Sequence, residues 1–203
     1  VTGVQTCALP ILKIKNLKLF ILILVILSLF SCNGSKKEIR TIVDKYYTSL
    51  QKGNLDEMLS LFSVDIKLSY DNLYQKSPEL KTFTSDTLKI VGSSFEYEIQ
   101  KVKIKDNKAT VTIKETGLDK KALNDKIKEL SVKEPFMPTD QNDFEKAKKE
   151  FTSYQMNILS KAAKEVNKKD SSVSTLNLEK EKNGWVITTK NLLRVIPKDE
   201  DGF

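Results

Sequence analysis

The sequence predicts an α+β fold in which amino-terminal helices pack on a curved antiparallel sheet. Apolar residues recur every three or four positions over residues 36–52, which is typical of an amphipathic helix. They alternate with polar residues over 95–113 and again over 173–188, and each stretch contains a short turn, which is typical of a hairpin. The helical period returns between the two hairpins, so residues 119–170 are predicted to be a helical insertion.

Three helices are expected before the first hairpin. The first spans residues 36–52, and Gly53 ends it. Asn54 can cap a second, because an asparagine side-chain oxygen accepts from an amide in the first turn. A serine followed by proline predicts the start of a third helix over residues 77–91. Residues 63–75 show a loose alternation and are predicted to form a short strand or an extended connection.

The first hairpin is predicted to contain a bulge. Phe95, Tyr97 and Ile99 alternate with polar residues, and the alternation resumes one residue late at Val102 and Ile104. A one-residue slip of this kind indicates a β-bulge, which bends the strand.

The second hairpin is marked by its turn. Asn183-Gly184 is the strongest short hairpin signal in the chain. Before it, Val173, Thr175 or Leu176, and Leu178 are predicted to share one face of the strand.

The helical insertion is predicted to hold a short helix followed by a long one over residues 140–168. Four apolar residues follow one side of the long helix at helical spacing: Phe144, Phe151, Tyr154 and Ile158. This stripe either packs on a neighbouring element or meets another protein, and a homodimer is one form of the second alternative.

The amino-terminal region has the pattern of a bacterial lipoprotein signal. Lys13, Lys15 and Lys18 precede the apolar stretch 19–30, which is too short to span a bilayer as a helix, and Ser31-Cys32 follows it. An ordinary secretory signal and an uncleaved membrane helix are the alternatives.

In the lipoprotein class that this pattern resembles, the chain is cut between Ser31 and Cys32, and the Cys32 thiol takes a diacylglycerol. The resemblance implies a signal peptide over residues 12–31, a short tether over 32–35 and a mature protein held by its acylated amino terminus in the bacterial cell envelope. Two or three acyl chains make an anchor that dissociates rarely.

Residues 1–11 are expected to lie outside the natural protein. Their sequence, VTGVQTCALPI, resembles a translated sequencing adapter joined to the gene. If these residues are excluded, Cys7 is not part of the protein and Cys32 is its only cysteine. Because an acylated Cys32 cannot form a disulfide, the exported domain is expected to fold without one.

The composition excludes several classes of site. The chain contains no histidine, which removes the commonest general base and the commonest zinc ligand. Without Lys13, Lys15 and Lys18, 31 basic residues stand against 27 acidic ones, a net charge of +4 with no long basic run. The seven glycines form no phosphate-binding loop. We therefore expect no cofactor, no metal site and no nucleic-acid partner.

Four short segments carry a resemblance to the nuclear transport factor 2-like superfamily. They are Tyr46-Tyr47 with Leu50, the joint at 52–56, Lys108-Ala109-Thr110-Val111, and the ending Asn183-Gly184-Trp185-Val186-Ile187. The resemblance covers about residues 36–114 and 172–189, and the helical insertion departs from the minimal fold. It implies a sheet that wraps the first helix around an apolar cavity, which different members use for ligand binding, dimerisation or acid–base chemistry.

Five aromatic residues could line such a cavity, although each also suits a plain core position: Tyr46, Tyr47, Phe62, Tyr97 and Trp185. Family enzymes commonly use an Asp with a His, or a Tyr with an Asp, and this chain has no His. No catalytic residue is therefore carried over.

Two functional hypotheses follow for a single domain over residues 36–196, with a tail over 197–203. The first is a lipid-anchored, non-enzymatic binding or scaffolding domain whose partner is a small apolar ligand or an envelope protein. The second is an enzyme that uses a cavity carboxylate and a tyrosine for acid–base chemistry. The sequence names no carboxylate for that role.

Overall fold

The computed structural model describes the backbone of residues 17–140 and 143–189, and the side chains from Gly34 onward. The predictions for residues 1–11, for the start of the signal peptide with Lys13 and Lys15, and for residues 190–203 lie outside these ranges. The chain divides into two units, Val1–Lys37 and Glu38–Phe203. In the part of the chain that is described, no helix combines the length and the apolar character needed to cross a membrane.

The described part of the chain contains six helices and four strands. In chain order they are α1 (Leu17–Lys52), α2 (Leu55–Ser60), α3 (Val64–Lys76), α4 (Pro78–Gly92), β1 (Glu96–Lys105), β2 (Lys108–Leu118), α5 (Lys120–Lys133), α6 (Phe144–Glu165), β3 (Lys169–Glu181) and β4 (Gly184–Ile187).

The four strands form one antiparallel sheet in the order β1-β2-β3-β4. The helices α5 and α6 are inserted between β2 and β3, which pair along the whole length of β2. The α+β class with a helical insertion between two hairpins is therefore confirmed. The register of β1 against β2 shifts between Ile99 and Lys101, which confirms the predicted bulge.

The main core lies between one face of the sheet and α1 and α2. On β2 the inward positions Ala109, Val111 and Ile113 are buried, and they lie beside Leu178, Leu176 and Ser174 of β3. The buried residues of α1 come at helical spacing: Ile39, Val43, Tyr46, Tyr47 and Leu50. The joint is as predicted, since Gly53 has φ 66° and Asn54 accepts from the Glu57 amide at 3.2 Å.

A second core joins the insertion to α4. Its buried members are Val91 of α4, Leu123 and Leu130 of α5, Ile158, Leu159 and Ala162 of α6, and Val166. The insertion therefore has its own apolar interior, and one face of the long helix is covered by neighbouring helices.

Residues 64–75 are helical, so the prediction of a strand or extended connection over 63–75 was wrong. The apparent alternation included Val64 and Leu68, which are exposed. Ile66, Tyr70 and Tyr74 are spaced by four and lie on the packed side of α3. Helical spacing, not alternation, was the correct period for this segment.

The face assigned to Val173 was also wrong. Val173 is 65% exposed and Ser174 is buried, because Leu176 and Leu178 fix the inward face and the side-chain period of a strand is two. Residues 32–35, predicted to be a tether, belong to α1.

Candidate functional site

The five aromatic residues proposed to line a cavity all belong to the main core. Tyr47 is 1% exposed, Phe62 4%, Trp185 5% and Tyr46 6%, and Tyr97 is partly buried. The structure brings four of them together around α1, because Tyr46 makes edge contacts with Tyr47 and Phe62, and Tyr97 stacks on Tyr47. The indole nitrogen of Trp185 is buried without a hydrogen-bond partner among the described residues.

Tyr47 lies between two other rings. Its ring centroid is 4.3 Å from that of Tyr97, with 12° between the planes, and 5.8 Å from that of Phe95, with 10° between the planes. Stacked rings at these separations contribute stability beyond their buried area. Tyr47 therefore fixes α1 against the first strand of the sheet.

The Tyr47 hydroxyl donates a hydrogen bond to Glu115 Oε1. Glu115 is half-buried on β2 and follows Ala109, Val111 and Ile113 on the inward face. This carboxylate was missed in the sequence, although the signal was present, because Glu115 is the next position of the same alternation. It lies beside Tyr97 in the register of β1 and β2.

A second tyrosine–carboxylate contact lies next to the first. The Tyr97 hydroxyl donates to Asp44 Oδ1 at 2.9 Å, in an exposed position. Asp44 lies one turn before Tyr47 on α1, so two carboxylates and two stacked tyrosines form one cluster at this end of the sheet. We call these residues the tyrosine cluster: Asp44, Tyr47, Tyr97 and Glu115.

Both tyrosines of the cluster are held in the protonated form. Burial raises the pKa of Tyr47, and the charge and hydrogen bond of Glu115 raise it further. Burial raises the pKa of Tyr97 to about 12, and the hydrogen bond to Asp44 acts in the same direction. Each hydroxyl is therefore a hydrogen-bond donor at neutral pH and not a base.

The folded protein should lose stability in alkali because the folded pKa of Tyr97 lies above its ordinary value of 10.0. A raised tyrosine pKa contributes stability that is full below pH 10 and is lost as the pH rises toward about 12. We expect the melting temperature to fall across this window, and to fall less steeply in Tyr97→Phe. Circular dichroism melts at several pH values test this. Equal slopes in the two proteins would contradict the assignment.

The stripe residues of α6 occupy three different environments. Ile158 is 2% exposed in the second core, whereas Phe144 is 76% exposed. Phe151 and Tyr154 pack on Phe136, with ring centroids 5.1 and 5.5 Å away. The stripe is therefore not one continuous free surface, and an interaction through its exposed end stays a prediction.

Cys32, the predicted lipidation site, lies within α1. Its cleavage and acylation stay predictions from the sequence. Across the described residues, no group of three or more Cys, Asp or Glu side chains is arranged to hold a metal ion.

No protein-family model matches the chain, and no curated protein matches it. Among solved structures, the chain is similar to a proposed dehydratase of the nuclear transport factor 2-like family from Streptomyces avermitilis, with 11% identity and a TM-score of 0.38 over 76% of this chain and 92% of that one. It is also similar to a proposed lipoprotein from Bacillus subtilis, with 15% identity and a TM-score of 0.35 over 59% of this chain and 37% of that one. At these TM-scores neither likeness carries an activity or a location over to this chain.

Proposed function

We propose that the chain is a lipid-anchored protein of the bacterial cell envelope whose folded domain acts by binding or scaffolding and not by catalysis. The anchor is supported by the sequence alone, through the basic residues, the apolar stretch and Ser31-Cys32. The non-enzymatic role is supported by one observation in the folded domain, which is the way Tyr47 and Glu115 are held.

A catalytic tyrosine must reach a substrate, and Tyr47 does not present its hydroxyl to solvent. The side chain is 1% exposed, both ring faces are covered, and the hydroxyl is engaged by Glu115. Because its pKa is raised, proton release is disfavoured as well. The pair has the properties of a contact that holds α1 to the sheet.

Binding is further supported by large apolar side chains exposed around the junction of α5 and α6. Val132 is 82% exposed, Met137 78% and Phe144 76%. The three residues are close in sequence, and where exposed apolar side chains form a patch, that patch commonly marks an interaction surface. An envelope protein is the partner class that suits this surface.

Enzymatic activity is the alternative, and the observation that favours it is Glu115. This carboxylate is inward-facing and only half-buried, it accepts from the Tyr47 hydroxyl and it lies opposite Tyr97 in the strand register, and a carboxylate beside a tyrosine is a combination used in general acid–base catalysis. A substrate would have to approach from the Tyr97 side, where the cluster is exposed.

Fatty-acid labelling tests the anchor directly. The full chain is produced in a bacterium fed an alkyne-bearing palmitate, and label on the protein is read by gel fluorescence. We expect label on the wild type and on Cys7→Ser, and none on Cys32→Ser. An unlabelled wild type, or label that survives in Cys32→Ser, would overturn the proposal.

Native mass spectrometry of the detergent-extracted protein tests the binding role. A reproducible added mass that is lost on denaturation supports binding and identifies the ligand or partner. If Glu115→Gln removes a turnover found in the wild type while leaving the unfolding midpoint unchanged, the enzymatic alternative replaces the binding role.

A further inference from the structure

The helix α1 enters the folded unit at one particular end of the sheet, which we call the entry end. Glu38 Oε1 lies 3.2 Å from the position that a Cβ atom on Gly184 would take, so the first residue of the folded unit adjoins the turn between β3 and β4. At the other end of the helix, Gln51 donates to the Phe95 carbonyl oxygen at 2.7 Å. The helix therefore runs from the hairpin turns at the entry end toward the opposite end of the sheet, which we call the far end.

The turn between β1 and β2 lies at the same end. The Lys180 amide donates to the Asn107 carbonyl oxygen at 2.8 Å, which joins the two hairpin ends. The insertion begins and ends at the far end, where the Asp119 amide donates to the Lys168 carbonyl oxygen at 2.9 Å. The 11 residues of β2 separate the two ends by about 35 Å.

Basic side chains are concentrated at the entry end. We call the following six exposed residues the basic end: Arg40, Lys103, Lys105, Lys108, Lys180 and Lys182. Four acids share this end, Glu38, Asp106, Glu179 and Glu181, and among the described residues Lys108 is paired with Glu179 at 3.0 Å.

The far end of the sheet has a different balance of acidic and basic residues. Two of its lysines are paired with acids there, Lys168 with Asp119 and Lys169 with Glu96, and Lys114 and Lys120 also lie at this end. Glu98, Glu115 and Asp170 add further negative charge. Positive charge thus falls from the entry end to the far end.

The covalent chain brings this end close to the proposed anchor. Six peptide units separate Cys32 from Glu38, and they span at most about 20 Å in any conformation. A lipid-anchored Cys32 would therefore keep the basic end within reach of the membrane surface, where each basic residue near anionic lipid contributes about 1 kcal/mol.

We propose that the basic end docks on the anionic phospholipid surface of the membrane that holds the anchor, so that the far end and the helical insertion point away from the lipid. This inference rests on the proposed lipid anchor. Lysines on the edge strand β1 also discourage pairing between sheets. That role explains Lys103 and Lys105, but it does not explain Arg40, Lys180 or Lys182, which lie on α1 and at the second hairpin turn.

Lysine acetylation on vesicles tests the docking, with the protein used in the form that a bacterium makes from the full sequence. One set of vesicles contains phosphatidylglycerol and phosphatidylcholine, and the other contains phosphatidylcholine alone. On the anionic vesicles we expect Lys103, Lys105, Lys180 and Lys182 to be acetylated about fivefold more slowly, the factor that corresponds to about 1 kcal/mol. Sodium chloride at 1 M should remove the protection, because the Debye length then falls to about 3 Å.

Matched charge reversals supply the control. Lys103→Glu combined with Lys105→Glu and Lys182→Glu should abolish the protection of Lys180. Lys128→Glu combined with Lys148→Glu and Lys149→Glu changes the charge equally on the insertion and should leave the protection unchanged. Equal effects of the two triple variants would overturn the docking.

Comparing the two kinds of vesicle distinguishes a failure of the docking proposal from a failure of the anchor proposal. If the protein associates with both kinds of vesicle and its lysines react alike on each, the docking is wrong and the anchor stands. If the protein associates with neither, the anchor is wrong and the docking falls with it.

Discussion

Tyr47→Ala should lower the free energy of unfolding by about 4 kcal/mol, because truncating a fully buried aromatic residue costs about 3–5 kcal/mol. The ring is 1% exposed and is stacked between Phe95 and Tyr97. Its loss leaves a cavity between α1 and β1 and removes the donor that Glu115 accepts from. Urea denaturation followed by fluorescence of the single tryptophan, Trp185, measures the change.

A milder change separates the contribution of the Tyr47 ring from that of its hydroxyl. Tyr47→Phe keeps the stack and should cost only about 1 kcal/mol, since Glu115 is half-buried and can be hydrated in compensation. Tyr154→Phe, which removes a hydroxyl from the half-buried tyrosine of α6, is the matched control and should change stability by less than about 0.5 kcal/mol. If Tyr47→Phe were as damaging as Tyr47→Ala, the packing account of this residue would be wrong.

Gly92→Ala should be nearly as damaging, at about 3 kcal/mol, although it adds only one methyl group. A Cβ at Gly92 would lie 2.5 Å from the Leu50 carbonyl oxygen and 3.1 Å from Leu50 Cδ2. The carbonyl belongs to the backbone of α1 and cannot rotate away. The end of α4 would therefore have to move off α1, which would disturb the joint that leads into β1. The same urea denaturation gives the magnitude.

Gly34→Ala is the matched control for this change. A Cβ at Gly34 would meet no atom within 4 Å, and alanine favours a helix more than glycine does. We expect Gly34→Ala to leave the unfolding midpoint unchanged or slightly raised. A Gly92→Ala protein as stable as the wild type would show that the close approach of α4 to α1 is not required.

The sequence was sufficient to predict the local structure wherever its hydrophobic pattern was compatible with only one backbone conformation. Helical spacing over residues 36–52, the Gly53-Asn54 joint and the alternation with a slip at Ile99 each specify one backbone geometry, and all three are found. The α+β class and the insertion followed from the order of these patterns. Hydrophobic periodicity reports the local backbone directly, since burial on one face depends on the residues per turn or per strand repeat.

Tertiary packing decided the secondary structure or the buried face wherever the local pattern was compatible with two alternatives. Residues 63–75 had apolar residues that fitted two periods, and packing of Tyr74 in the core selected the helix. Only one of Val173 and Ser174 can lie on the inward face of β3. Ser174 does, because it alternates in step with the buried Leu176 and Leu178.

The tyrosine cluster shows the same division. Alternation on β2 extends to Glu115, so the sequence carried the signal for an inward carboxylate, although the predicted strand pattern stopped at Ile113. Its partner Tyr47 lies 68 residues earlier, on α1. Only the crossing of that helix over the sheet brings the two together, because a contact between distant segments depends on how elements pack and not on the period within either one.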